Sequence, residues 1–127
     1  MTKISASNIA VLNLGFRILF LGAGAYSILA IFLWTGVFSL NYAVATDTLS
    51  AFQWHAHEMI YGYCAAVISG FILTAVKNWT GIQTVHGSQL AFIFCLWLIA
   101  RLLFLFALDF VIIAAILDLA FITAVII

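Results

Sequence analysis

The stretch Gln89–Ile127 reads QLAFIFCLWLIARLLFLFALDFVIIAAILDLAFITAVII. It holds two apolar runs, about 89–108 and 110–127, with Asp109 between them. A membrane-crossing helix needs about 20 apolar residues. Two such runs joined almost directly around one aspartate must form an antiparallel hairpin. Two charges interrupt them. Arg101 stands eight residues before Asp109 and Asp118 nine after it, so a tight hairpin brings them to the same depth. A charge in hydrocarbon is costly and normally turns to the bundle interior and pairs. The spacing therefore predicts an Arg101–Asp118 ion pair. The plain reading is a clasp that fixes the hairpin. The sharper one gives Arg101 a second task, holding an anionic group.

The rest of the chain has the same character. Of 127 residues, 68% are hydrophobic and 6% charged, and mean hydropathy is +1.31. A soluble domain carries about 25% charged residues to hold a water-facing surface; four basic and four acidic residues cannot. The solvent for this surface is lipid. Net charge is zero and there is no basic stretch, which argues against nucleic-acid binding. Two further spans are expected at about 15–40 and 56–76. The expected fold is all-α, an integral membrane bundle of four transmembrane helices forming a single domain over 1–127. The chain has no proline, so the helices are expected to be continuous apart from kinks at Gly or Ser.

The connections set the orientation. Lys3, Lys77 and Arg17 lie outside or at the foot of the spans, while the 41–53 loop has no basic residue. The positive-inside rule puts the N-terminus, the 77–88 loop and the C-terminus in the cytoplasm, with Asp47 and Asp109 outside. The first 13 residues lack the cleavage pattern of a signal peptide. Thr46-Asp47-Thr48 is a candidate cap for a short interfacial helix, and the run at 9–14 extends the first helix or lies in the interface. Cys64 and Cys95 sit in apolar runs and read as reduced core residues; they are not a CxxC pair. Trp54 and Trp79 bracket the second span as interfacial anchors do. His86 reads as a surface histidine. The chain ends inside an apolar run, which suggests a minimal protein or one part of a larger architecture.

The chemistry concentrates in Trp54-His55-Ala56-His57-Glu58-Met59, at the expected start of the second span. At 100° per residue, His55 shares a face with Met59, Gly62, Ala66 and Gly70. His57 falls nearly opposite, beside Tyr61 and Cys64. One chain cannot then bring both histidines to one ion. Gly62, Ala66 and Gly70 form a seam of small residues that permits close backbone approach, either for helix packing or as room for a flat macrocycle. Histidine ligates haem iron and copper, and His-x-His beside an acid at a membrane face invites a metal reading. Glu58 either orients an imidazole or takes up protons from the outer face.

The run 54–59, then Gly62, then 65–76, closing with Asn78-Trp79-Thr80-Gly81, resembles the NnrS family. The likeness extends to Phe16-Arg17, to 96–102 around Arg101, and to Asp118-Leu119-Ala120-Phe121, and covers nearly the whole chain. Ile18 and Lys77 stand where the family commonly has proline. The resemblance implies a bacterial inner-membrane protein that carries haem, with copper as a further candidate, linked to nitric oxide and nitrosative stress. It implies metal roles for His55 and His57, with Glu58 close by, without saying which histidine holds which metal. Arg101 becomes a candidate for a haem propionate, and Asp118, Gly62 and Tyr61 are supporting residues. Family members are typically about three times as long with more spans, and this chain corresponds to their N-terminal third. A homo-oligomer, most simply a trimer resembling a haem-copper oxidase core, is expected to restore the missing ligands. The expected role is nitric oxide handling or electron transfer, and whether the chain is an enzyme is left open. The rival expectation is a non-catalytic subunit or assembly protein of a larger respiratory complex.

Overall fold

The computed structural model describes residues 10–40, 49–106 and 108–127. Lys3, Asp47 and the Thr46–Thr48 cap lie outside them. Among the described residues every regular element is helical and no strand occurs. A single 3₁₀ turn, Ala10–Leu12, leads into α1, Gly15–Ser39. Helix α2 runs from Ala51 to Thr80, α3 from Gly87 to Phe106 and α4 from Val111 to Ile126, with a 3₁₀ turn at Leu108–Phe110 between the last two. Three of the helices, α1, α2 and α3, are long and apolar enough to cross a membrane. The fourth is a shorter apolar helix that returns along α3, as the hairpin around Asp109 requires.

The outer surface is apolar. Phe32, Phe92, Ile112, Ile116 and Leu119 are all exposed, a distribution that is stable only against lipid tails. Glu58, Ser69, Arg101 and Asp118 are buried instead. Helix α1 lies along α2, and α3 along α4, while α1 and α3 touch only briefly. The core between the pairs is built from Leu19, Ala23, Tyr26, Ala66, Leu73, Ile93, Trp97 and Phe121. A smaller cluster of Trp54, Phe104 and Ala114 fills the end near the α3–α4 turn.

Helix α2 differs from its sequence-based expectation in two ways. It starts five residues before Ala56, because Ser50 and Gln53 form a reciprocal capping box, which satisfies two donors of the first turn. The histidine segment is thus inside the helix. It is also not α-helical throughout. Residues Glu58–Cys64 form a π-helical segment between two α-helical ones. A π segment holds more residues per turn than an α-helix, so the 100° wheel loses its register at Glu58. The helix ends at Gly81, whose φ of 71° is left-handed and whose N–H reaches Lys77 O, a cap that favours glycine.

Other expectations are corrected by burial. Trp54 is no interfacial anchor: it is fully buried, and its indole N–H donates to Phe104 O at 3.1 Å. Trp79, at the other end, is exposed as expected. Cys64 and Cys95 are not core residues; both are exposed and unbonded, because the π segment and the α3 register turn them toward the lipid-facing surface. Arg17 is exposed and donates to Ala10 O at 2.8 Å, and His86 is exposed on the α2–α3 loop.

Candidate functional site

Four polar side chains meet in the centre of this apolar bundle. Glu58 from α2 and Arg101 from α3 are 0% and 1% exposed, and Asp118 from α4 is 3% exposed. Tyr26 from α1 joins them. Arg101 Nη1 donates to Glu58 Oε1 at 2.9 Å, and Nη2 donates to both oxygens of Asp118. The Tyr26 hydroxyl donates to Glu58 Oε2. The expected Arg101–Asp118 pair is therefore present, at the depth the hairpin sets. It is one edge of a larger network that ties all four helices together.

His57 closes that network. Its Nδ1 lies 3.1 Å from Glu58 Oε1 and its Nε2 3.5 Å from Asp118 Oδ2. The ring stacks on Tyr61, with centroids 4.7 Å apart, and tilts against Phe104 at 4.2 Å. It is the partly exposed member, its side chain 23% accessible. Two carboxylates surround one guanidinium, and the His57 ring lies beside both of them. Buried charges of this kind are tolerated only when each is paired and hydrogen-bonded.

His55 faces elsewhere. Its ring stacks on Trp34 of α1, centroids 4.0 Å apart and 14° between planes. It lines a cleft of about 360 Å³ together with Met59, Tyr63 and three α1 residues, Ser27, Ile28 and Ile31. Its Nδ1 is buried without a hydrogen-bond partner. The two histidines do look in different directions, His55 toward α1 and His57 toward α3 and α4. The seam behind them is already filled. A Cβ on Gly62 would lie 2.8 Å from Arg101 Nη1 and 2.9 Å from Tyr26 Cε1. One on Gly70 would lie 3.1 Å from the Phe20 ring. The missing side chains make room for a guanidinium and two rings of this protein, which decides for helix packing over a macrocycle at these positions. Trp97 completes the wall, donating to Gly62 O at 2.8 Å.

Among the described residues no group of three or more His, Cys, Asp and Glu side chains is placed to hold a metal ion. A site formed with haem needs fewer protein donors, and here the two imidazoles differ. His57 has both nitrogens near carboxylates. The buried nitrogen of His55 has no hydrogen-bond partner among the described residues, and its ring opens on a cleft beside a thioether. The donor chemistry at His55 fits an imidazole ligand to a haem or a copper ion.

A family model described as NnrS protein matches residues 10–127. The chain belongs to the NnrS family. No curated protein and no solved structure matches it. NnrS membership suggests a membrane protein associated with haem and copper and linked to the nitric oxide response. The matched region contains every residue of the buried network. Tyr26, Trp34 and Trp97 were not among the site residues expected from sequence. The hint of Tyr26 in the sequence is a phenol near the middle of a largely apolar span, and nothing in the sequence marks Trp34 as the stacking partner of His55.

Proposed function

We propose that this NnrS chain holds haem through His55, as a four-helix unit of the bacterial inner membrane, and serves nitric oxide handling or electron transfer. The observation that carries this reading is the His55 imidazole: buried at Nδ1, unpartnered, stacked on Trp34 and facing a cleft. A bound haem would supply the iron chemistry. This chain's residues hold the ring plane of His55 and exclude water from its inner nitrogen. His57 is the other metal candidate, for copper, which would have to displace Asp118 Oδ2 from its Nε2 side, since both of its nitrogens already lie near carboxylates. Arg101 acts by fixing both carboxylates rather than by holding a propionate, since both of its Nη atoms are already engaged.

The homo-oligomer belongs to this proposal, with a trimer favoured. One open imidazole per chain leaves further ligands to come from neighbouring copies. The orientation proposed is that of the positive-inside rule, N-terminus and α2–α3 loop cytoplasmic, with Lys77 as the marker.

The test is the absorption spectrum of the purified protein together with its mass in native detergent. His55→Ala is expected to abolish the Soret band, and His57→Ala to keep it while lowering copper content. A band unchanged in His55→Ala overturns the assignment, and a purely monomeric mass overturns the oligomer. A second reading, a non-catalytic subunit with structural histidines, is favoured by the self-sufficiency of the His57 network. A colourless, metal-free protein of normal helicity would decide for it.

A further inference from the structure

Helices α1 and α3 line an open groove of about 520 Å³. That volume lies in the range of ligand pockets, about 300–1,000 Å³. Gly22 and Ala25 give the α1 wall its depth, and Tyr26, Phe94 and Trp97 give the groove an aromatic flank. The rings are ordered against one another: Trp97 stands edge-on to Tyr26 at 6.0 Å and tilted to Phe94 at 5.4 Å.

One feature of the lining is not apolar. Arg101 contributes to the groove, and its Nε is buried without an acceptor. The other polar groups of the lining are spent, the Tyr26 hydroxyl on Glu58 and the Trp97 indole on Gly62 O. A buried N–H of a charged group left without an acceptor is costly, more so where no water can reach it. The charge around it limits what can satisfy it. The guanidinium already faces Glu58 and Asp118, so a third anion would meet net repulsion. A carboxylate or phosphate is disfavoured, and a neutral acceptor is favoured. Depth argues the same way. Arg101 stands five residues inside the end of α3 at Phe106, about 8 Å along the helix at 1.5 Å per residue, below the level of charged headgroups. Among the described residues no histidine, cysteine or methionine lines this groove, which separates it from the His55 cleft and from haem ligation.

We infer that the α1–α3 groove binds a lipid-soluble quinone, its ring against Phe94 and Trp97 and one carbonyl accepting from Arg101 Nε once the guanidinium stem shifts toward the groove and uncovers it. A quinone is neutral, flat and carbonyl-bearing, and reaches this depth from the bilayer. The inference does not depend on metal binding at His55.

The experiment is isothermal titration of the full-length protein in detergent micelles with a decyl-substituted benzoquinone, empty micelles being subtracted. Saturable binding of one probe per chain is expected. Decylbenzene, which keeps the ring and tail but lacks an acceptor, is expected to bind about tenfold more weakly, the size of one hydrogen bond to a charged donor. Ala25→Trp fills the groove from an exposed position and is expected to abolish the site. Ala115→Trp, on the outer surface of α4, makes the same change elsewhere and is expected to leave binding intact. Helicity by circular dichroism checks that both variants fold. Equal affinity for the two probes would make the groove a seat for any acyl chain and overturn the proposal. So would probe uptake no greater than in empty micelles, or unaltered binding in Ala25→Trp. A change of oligomeric mass in Ala25→Trp without probe binding would assign the groove to a second copy of the chain, and also overturns it.

Discussion

Glu58 has no exposure and three partners: Tyr26 and Arg101, 32 and 43 residues away in sequence, and its chain neighbour His57. Its dependence on Arg101 can be measured. Arg101→Met leaves Glu58 and Asp118 buried without their cation, a change that costs about 3–5 kcal/mol in buried pairs. Equilibrium unfolding in mixed micelles is expected to show that loss. Asp118→Asn removes one charge and leaves Arg101 matched by Glu58 alone, so a smaller loss is expected. Glycine substitutions separate two kinds of site. Gly62→Ala drives a methyl into Arg101 and Tyr26, and a lower thermal midpoint by circular dichroism is expected. Gly24→Ala meets nothing within 4 Å and gains helix propensity of up to about 1 kcal/mol, so the midpoint should hold or rise. Of these contacts, the Arg101–Asp118 pair was legible from spacing, because a hairpin turns equal sequence distance into equal depth. The part played by Tyr26 was not, because it depends on how α1 rotates against α2.

Helix α2 shows what an element adds. Its first turn rests on the Ser50–Gln53 box, in which each side chain meets the other's backbone N–H. Ser50→Ala is expected to cost about 1 kcal/mol, read as faster amide exchange over Ala51–Trp54. Adding Gln53→Ala should cost little more, since the two bonds support one another. The π segment at Glu58–Cys64 is the device that places the site. It lets Trp54, Glu58, Gly62 and Ala66 all point inward, although a strict 3.6-residue period drifts over that length. Deleting the exposed Ile60 would let this stretch become α-helical and turn the residues before it by about 100°. The expected result is loss of the Trp54 indole bond to Phe104, seen as a red shift in tryptophan emission as the ring leaves the core.

At the scale of the whole molecule, two helix pairs are held together by charge inside and by lipid outside. The α1–α2 pair brings Tyr26, His57 and Glu58; the α3–α4 pair brings Arg101 and Asp118. Arg101 and Asp118 pair within α3–α4, but Glu58 of the first pair finds its cation only on the second. Assembly of the four helices is therefore expected to be cooperative, with one transition for intrinsic fluorescence and far-UV circular dichroism in wild type and two separated transitions in Glu58→Ala. Orientation is checked by labelling in intact cells. In a cysteine-free background, Asp109→Cys is expected to react with an impermeant maleimide and Gln83→Cys to stay protected until the membrane is opened.

The sequence by itself determined the solvent, the number of helices and the pairing of Arg101 with Asp118. These follow from local quantities: apolar run length, charge count and distance from a turn. It also marked the Trp54–Met59 segment, since histidines and an acid within an apolar stretch need a reason to be there. Tertiary structure alone decided what the side chains of that segment meet. The π segment shifted the helix register, buried Trp54, gave His57 to the carboxylates and left His55 facing a cleft on α1. It also filled the Gly62 and Gly70 seam with Arg101, Tyr26 and Phe20, and opened the groove beside Arg101. A helical wheel assumes one uniform period, and the facing of each side chain here depends on where that period changes and on which neighbour is close enough to meet it.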